Sequence, residues 1–345
     1  MLSRGAAMVL AVAILAGCDS AQAADRTTEP APAALLGPAA PATVGGDEVT
    51  LLRSGPLTFA RLGALIDGAR VSVHVEIYEF GQPALADALI RARERGVAVT
   101  VIDDPSELSS LATAALLRTH GVDVIDYPIR AQMIDHVKLL VVDARVAVVG
   151  GINWGVRSPA NHDYDAELTG PVVANLDRVF LRDLVTCGRA VTVPDSLPDP
   201  SIVVVATLPG AEIRPLALAL INSAAHSLDL ELFVLTDTGI VHALEAAAAR
   251  GVQVRVLLDP SQPSSAPSYA ALQLDGIAVR WYRTHGELLH AKAIVADATS
   301  IVFGSANWSG GGFARNHELD IDLPDAPRVA AAMLAQMDLD WSASA

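Results

Sequence analysis

The chain has 345 residues, 52% of them hydrophobic, which excludes an intrinsically disordered protein and suggests two domains of ordinary size. Its formal charge is −15. Nucleic-acid binding draws most of its affinity from a basic surface that neutralises phosphates, so the charge argues against DNA or RNA and leaves open only a local basic groove.

Residues 1–18 read as an export signal: Arg4 gives a positive start, and Ala6 to Ala16 is an apolar run too short to span a bilayer comfortably. The run ends in Leu15-Ala16-Gly17-Cys18, which resembles the lipobox of bacterial lipoproteins, where the Cys becomes the lipidated N-terminus. A simple secretory signal cut near Ala21 to Ala24 is the alternative. Residues 19–48 are rich in Ala, Pro, Thr and Gly and read as a tether. Beyond Cys18 the only cysteine is Cys187, so no intrachain disulfide is expected in the mature protein.

The remainder is an internal repeat, divided here as 49–195 and 196–345. Residues 65–78 match 220–233, and Arg95-Gly96-Val97 matches Arg250-Gly251-Val252. Asp104-Pro105 matches Asp259-Pro260, and Asn161-His162-Asp163 matches Asn316-His317-Glu318. In each half the patterning predicts helices over Leu57 to Ala69 and Ile213 to Ala225, then strands over Val71 to Tyr78 and Leu228 to Leu235. Amphipathic helices follow at Pro83 to Arg95 and Thr238 to Arg250, each closed by a glycine. Apolar strands Val97 to Ile102 and Val252 to Leu258 come next. After a further helix in each half, strands Val122 to Tyr127 and Ile277 to Tyr282 precede a hairpin: Val137 to Val142 with Val146 to Val149, and Ala291 to Ala296 with Ser300 to Phe303. Strands alternating with helices, closed by a hairpin, predict an α/β class with mixed sheets.

Those hairpins carry the chemistry. Both copies read His-x-Lys, four residues, Asp, six residues, Gly-x-x-Asn: His136, Lys138, Asp143, Gly150, Asn153, and His290, Lys292, Asp297, Gly304, Asn307. One such match by chance has odds of about a few in a million at this composition. Of 24 basic side chains only Lys138 and Lys292 are lysines, so every other cation is Arg. A compact ammonium differs from a planar guanidinium fork, and the pattern selects the former. Residues two apart on a strand share a face, so each His and Lys point the same way and can receive one anion. Asn153 and Asn307 can donate amide hydrogens to it. No Cys or third His stands at ligand spacing in either motif, which argues against zinc. Two histidines, two lysines and two asparagines suffice for a two-step displacement at phosphorus. Asp163 and Glu318 are candidates to fix the second nitrogen of each imidazole.

The two copies resemble the His-Lys-Asp motifs of the phospholipase D superfamily, including its Gly-Ser/Gly-x-Asn extension, over roughly residues 57–340. The resemblance implies a pseudo-twofold pair of α/β/α sandwich domains, one active site between them, a phospho-histidine, and neither metal nor cofactor. It places His136 as nucleophile, His290 as general acid and the two lysines beside them, with Asp143 and Asp297 in the motif but mainly structural. It sets Glu318 on His136 and Asp163 on His290, across the interface. It gives Ser305 a phosphate contact that Gly151, at the matching position, lacks. The implied activity is that of a phosphoric diester hydrolase releasing phospholipid head groups. A nuclease, a cardiolipin-synthase-like transferase and an inactive binding protein are the alternatives. Because one chain holds both halves, a monomer is expected, exported and held at the membrane by the lipid anchor.

Other recurring residues have blander readings. His162 and His317 would point away from the neighbouring carboxylates and serve packing or capping. Trp154 and Trp308 either line the substrate mouth or pack. Glu76 and Glu231 occupy equivalent strand positions, either near the site or in a structural salt link. His74, His120, His226, His242 and His285 read as structural or exposed, and Cys187 as an inert core thiol.

Overall fold

The computed structural model describes residues 36–130, 133–199, 201–283 and 287–344. The first half holds strands β1 (Ala42–Val44), β2 (Asp47–Leu52), β3 (Ser72–Ile77), β4 (Ala98–Asp103), β5 (Asp123–Asp126), β6 (Lys138–Val142), β7 (Val146–Gly150) and β8 (Asp165–Thr169). Its helices are α1 (Gly55–Gly68), α2 (Pro83–Glu94), α3 (Leu111–Thr119) and α4 (Val172–Thr186). The second half holds β9 (Val203–Ala206), β10 (Ser227–Leu232), β11 (Gln253–Leu258), β12 (Ala278–Trp281), β13 (Lys292–Ala296), β14 (Ser300–Gly304) and β15 (Leu319–Leu323). With them come α5 (Ile213–Ser223), α6 (Thr238–Ala249), α7 (Ala266–Leu274), α8 (Gly310–Ala314) and α9 (Pro327–Ala343).

The strand orders are β1-β2-β8-β7-β6-β3-β4-β5 and β12-β11-β10-β13-β14-β15-β9, the same order but for the added β1. Within each sheet β3, β4, β5 and β10, β11, β12 run parallel, while the hairpin strands pair antiparallel, so both sheets are mixed. Two segments depart from expectation. Residues 42–48 of the expected tether are ordered as β1 and the start of β2, because Glu48 pairs with Thr169 at the sheet edge. The boundary set between 195 and 196 falls in the segment joining α4 to β9. Cys18 lies outside the described residues, as does His285.

Alternation along β6 explains the layers. Leu140 and Val142 pack outward with α1, α2 and α3, whereas Leu139 and Val141 pack inward with α4. The second half repeats this: Ile294 and Ala296 of β13 face α5, α6 and α7, and Ala293 and Val295 turn inward. The inner faces of both sheets, with α4 and α9, form one continuous core. Stripping that apolar surface from water at about 25 cal/mol per Å² is the main force joining the halves. Trp154 and Trp308 belong to the outer cores and do not line a mouth.

At the hairpin turns Asp143, Ala144, Asp297 and Ala298 all have positive φ, the twist a two-residue turn between antiparallel strands requires. The carboxylates secure it. Asp297 accepts the backbone N–H groups of Ala225, His226 and Ser227 at 2.9, 2.7 and 2.9 Å. Asp143 accepts those of Arg70, Val71 and Ser72 at 3.1, 2.7 and 2.9 Å. Burial alone would raise their pKa values, but the three amides outweigh it and hold both below the ordinary value. Such a carboxylate stabilises the fold above its unfolded pKa, and the contribution is lost as pH falls through the folded value. Allowing for its solvent exposure, Asp297→Ala should cost about 1 kcal/mol at pH 7 in urea denaturation, with an unchanged m-value and a deficit that shrinks in acid. Equal stability at pH 7 would remove this role.

Candidate active site

His136 immediately precedes β6 and Lys138 opens it; His290 and Lys292 stand likewise at β13. The two halves meet here through backbone pairing. The amide of His136 donates to the carbonyl of His317, and that of His317 to Ile134, both at 2.8 Å. In the other direction His290 donates to His162 at 2.8 Å and His162 to Leu288 at 2.9 Å. Side chains of successive extended residues point oppositely. Pairing through His162 and His317 therefore turns the next residues, Asp163 and Glu318, toward the motif histidines.

The contacts follow from that geometry. His136 Nδ1 lies 2.7 Å from Glu318 Oε2, and His290 Nδ1 lies 2.8 Å from Asp163 Oδ2. A carboxylate on Nδ1 places the proton there and leaves Nε2 as the basic atom. The side chains of His136 and His290 are 5% and 7% exposed, so both imidazoles are nearly buried. Burial and the two lysines push His136 well below its ordinary value and His290 down to about 3. Both imidazoles are therefore neutral at pH 7. Burial, aided by mutual repulsion in the case of Lys138, lowers Lys138 to about 7, and burial lowers Lys292 to about 8. Lys138 Nζ donates to the carbonyl of His136 at 2.6 Å, and Lys292 Nζ to that of His290. Lys292 Nζ also lies 2.7 Å from His290 Nδ1.

Both motif copies fall within residues 62–184 and 217–341, which match the family described as "Cardiolipin synthase, PLD-like domain". The chain belongs to the phospholipase D superfamily. Among relatives, cardiolipin synthase A of Pseudomonas putida is 28% identical over 313 residues, covering 81% of this chain and 65% of that protein. Cardiolipin synthase of Geobacillus kaustophilus is 29% identical over 317 residues, covering 80% and 62%. The chain thus spans somewhat less than two thirds of these relatives' length. In fold it is similar to the crystal structure of phosphatidylserine synthase from Haemophilus influenzae, with a TM-score of 0.66, 14% identity, and 86% and 85% of the two chains covered. It is also similar to polyphosphate kinase from Porphyromonas gingivalis, with a TM-score of 0.59, 14% identity, and 85% and 50% covered.

The remaining motif residues divide between structural places and the site. Asp143 and Asp297 sit on the hairpin turns, where backbone amides occupy their oxygens, and do not join the site. Ser305 was expected to touch phosphate. Its single hydroxyl proton goes to Glu318 at 2.6 Å, while its oxygen accepts the Leu319 amide at 2.9 Å. In the first half a Cβ on Gly151 would come within 2.3 Å of Asp163 Oδ1. The pairs Gly151 with Asp163 and Ser305 with Glu318 are thus two ways of seating one carboxylate. Asn153 and Asn307 both leave Oδ1 without a partner among the described residues, and Asn153 also hydrogen-bonds Glu79, a contact Asn307 lacks. Burial drives Glu318 up to about 7, against Lys138 and hydrogen bonds from Ser305 and Asn316.

Sequence reasoning missed three supports. Tyr78 and Phe233, at matching strand ends, stand 5.0 and 4.8 Å from the motif imidazoles and 5.5 and 5.4 Å from the lysine ammonium groups. Asp104 accepts the Asp135 amide at 2.6 Å and Asp259 that of Leu289 at 2.8 Å, bracing the chain as it enters each histidine. Asp165 and Asp320 lie under Gly150 and Gly304, where any Cβ would approach their Oδ1 to 2.3 Å. All three pairs recur between the halves, which was the available signal.

His162 and His317 point away from the site, into buried acids. His162 Nε2 is 3.0 Å from Glu231 and 3.1 Å from Asp340; His317 Nε2 is 2.9 Å from Asp183 and 3.6 Å from Glu76. Glu76 and Glu231 therefore form structural links. The donor atoms of each trio lie within 4.8 Å of one another, a set that could hold a cation. In the His162 trio a protonated imidazole serves: burial would lower its pKa, but Asp340 and Glu231 outweigh burial and raise it well above the ordinary value. A raised pKa contributes stability fully present below the unfolded value of 6.5 and lost as pH rises through the folded value. His162→Phe leaves two buried acids without their cation and should cost about 3–5 kcal/mol at pH 7, read as a lower urea midpoint. An unchanged midpoint would overturn the clamp. Burial also pushes the Cys187 thiol up to about 12, so it is unreactive.

Proposed function

We propose that this protein transfers phosphatidyl groups between alcohols, as a cardiolipin synthase does, through a covalent phospho-histidine. The observation that carries the reading is the pair of neutral, nearly buried imidazoles, each bound at Nδ1 by a carboxylate of the other half. The similarity to cardiolipin synthases favours transfer over the head-group hydrolysis expected from the motifs alone.

His136 Nε2 attacks phosphorus; the bond to the head-group oxygen breaks, and that alcohol leaves with a proton from His290. The phosphate's negative charge offsets the lysines that depress His290, which lets it carry this proton. An acceptor alcohol then gives its proton to His290 and attacks phosphorus, the P–N bond breaks, and His136 is restored. Lys138, Lys292 and Asn307 stabilise charge on the nonbridging oxygens. Attachment at the cell envelope through Cys18, in a monomer, completes the proposal; among the described residues no helix is long and apolar enough to cross a membrane.

With phosphatidylglycerol in detergent micelles and EDTA present, the expected products are diphosphatidylglycerol and glycerol in equal amounts. His136→Ala and His290→Ala should each lower turnover by about 10³-fold. Full activity in either variant would overturn the two-histidine mechanism. Phosphatidic acid as sole lipid product would return the hydrolase reading, and cleavage of plasmid DNA with lipid untouched would replace it with a nuclease. Phosphate binding needs the charged lysines, so kcat/KM should fall as pH rises through the window from about 7 to about 8, and Lys138→Arg should not restore a Lys138→Ala loss.

A further inference from the structure

A cavity of about 800 Å³ lies at the seam between the halves, lined by none of the motif side chains. One wall is apolar: Tyr127 and Met133 from the segment between β5 and β6, with Leu208 and Pro209 after β9. Three arginines also line the cavity, Arg130, Arg182 on α4 and Arg315 after α8, together with one carboxylate, Asp183. The volume is that of a small-molecule site.

Part of the arginine set is committed to carboxylates. Arg61, Arg91, Arg189, Arg214 and Arg255 are each ion-paired with a carboxylate at 2.5 to 2.9 Å. Arg130 and Arg315 have no carboxylate partner among the described residues. Arg182 reaches only Asp183, its own neighbour, at 3.4 Å, and that carboxylate is already bound to His317. In a chain of net charge −15, three such cations around one cavity are a local reversal of sign.

The fold does not require them. Asp183 and Asp340 are equivalent, each holding the histidine of the opposite half, so Arg182 corresponds to Leu339. The repeat likewise sets Arg315 against Ala160. By sheet register Arg53 stands at the position matching Ala206, and its guanidinium is spent on the carbonyls of Gly37 and Ala332. The symmetry-related positions, Leu339 and Ala160, therefore keep the same scaffold without these two cations.

We infer that this cavity is a second, non-catalytic binding site for an anionic phospholipid, whose phosphate lies on Arg130, Arg182 and Arg315 and whose first acyl methylenes lie on the apolar wall. Guanidinium groups match phosphate oxygens in geometry as well as charge, and the adjoining wall distinguishes an amphiphile from a free anion. The inference rests on the phospholipid reading above for its choice of ligand, but not on catalysis.

The test uses the full chain carrying His136→Ala, so that ligand is not turned over, titrated calorimetrically with dihexanoylphosphatidylglycerol below its micelle concentration. Two binding events are expected, one at the motif histidines and one at the arginines. Adding Arg130→Ala and Arg315→Ala should weaken one of them about tenfold or more and leave the other unchanged. Arg315→Glu should weaken the same event further. Glycerol 3-phosphate should not compete at the arginine site, since it lacks the chains. In the chain with His136 intact, the two arginine substitutions should leave transfer from micelles within about twofold of the unsubstituted protein. Both events surviving in the arginine variants, competition by glycerol 3-phosphate at equal strength, or loss of transfer with the arginines would each overturn the inference. If the protein shows no transfer yet the arginine-dependent event persists, the catalytic reading fails and this site stands.

Discussion

Each motif imidazole is bound to a carboxylate that belongs to the other half, and the remaining features of the molecule serve that crossing. The backbone pairing of His136 with His317 and of His290 with His162 fixes the register between the halves. Once it is fixed, the alternation of an extended chain has no freedom left. Asp163 and Glu318 must face the imidazoles, and His162 and His317 must face the acids below. A half alone would carry a histidine without its orienting partner and a buried Glu231 or Glu76 without its imidazole. The union of the halves is therefore held by the same residues that prepare the chemistry. Its electrostatics depend on it too, because the desolvation that keeps both imidazoles neutral exists only when the inner faces are joined.

The pseudo-symmetry is broken where the carboxylates are seated. Asp163 is one methylene shorter than Glu318 and folds back onto its own strand, accepting the Tyr164 amide at 2.9 Å. That position excludes a side chain at 151. Glu318 reaches further and takes protons from Ser305 and Asn316. The two imidazoles thus lean on acids of unequal support. The inequality distinguishes the two imidazoles before any substrate binds.

Much of this was legible before any coordinates. The duplication showed itself through matched pairs, and the strand order followed from apolar runs alternating with amphipathic helices. His136 and Lys138 could be put on one face because their spacing is that of a strand. What escaped notice depends on partners distant in the chain. Residues 42–48 resemble a tether because nothing local says that residue 169 will lie beside them. Glu76 meets its imidazole from residue 317 and its second acid from α4, and no periodicity encodes that meeting. Ser305 was assigned to phosphate because a motif shows residue types and not which of two neighbours takes a hydroxyl proton.

The restriction of lysine to positions 138 and 292 follows from what an empty site must tolerate. Two cations close enough to repel each other, both almost wholly buried, would be an uncompensated charge pair whenever no phosphate is present. An arginine there would remain charged at any accessible pH and would carry that penalty throughout. An amine can release its proton instead. With Lys138 near 7 and Lys292 near 8, the empty site sheds part of its charge around neutral pH and recovers it when an anion enters. Many of the described arginines lie on the surface or beside carboxylates, where the guanidinium's permanent charge costs little and its planar fork is the better partner; the buried Arg53 gives its fork to the carbonyls of Gly37 and Ala332. The same physical difference thus accounts for lysine at the two positions where charge must be reversible.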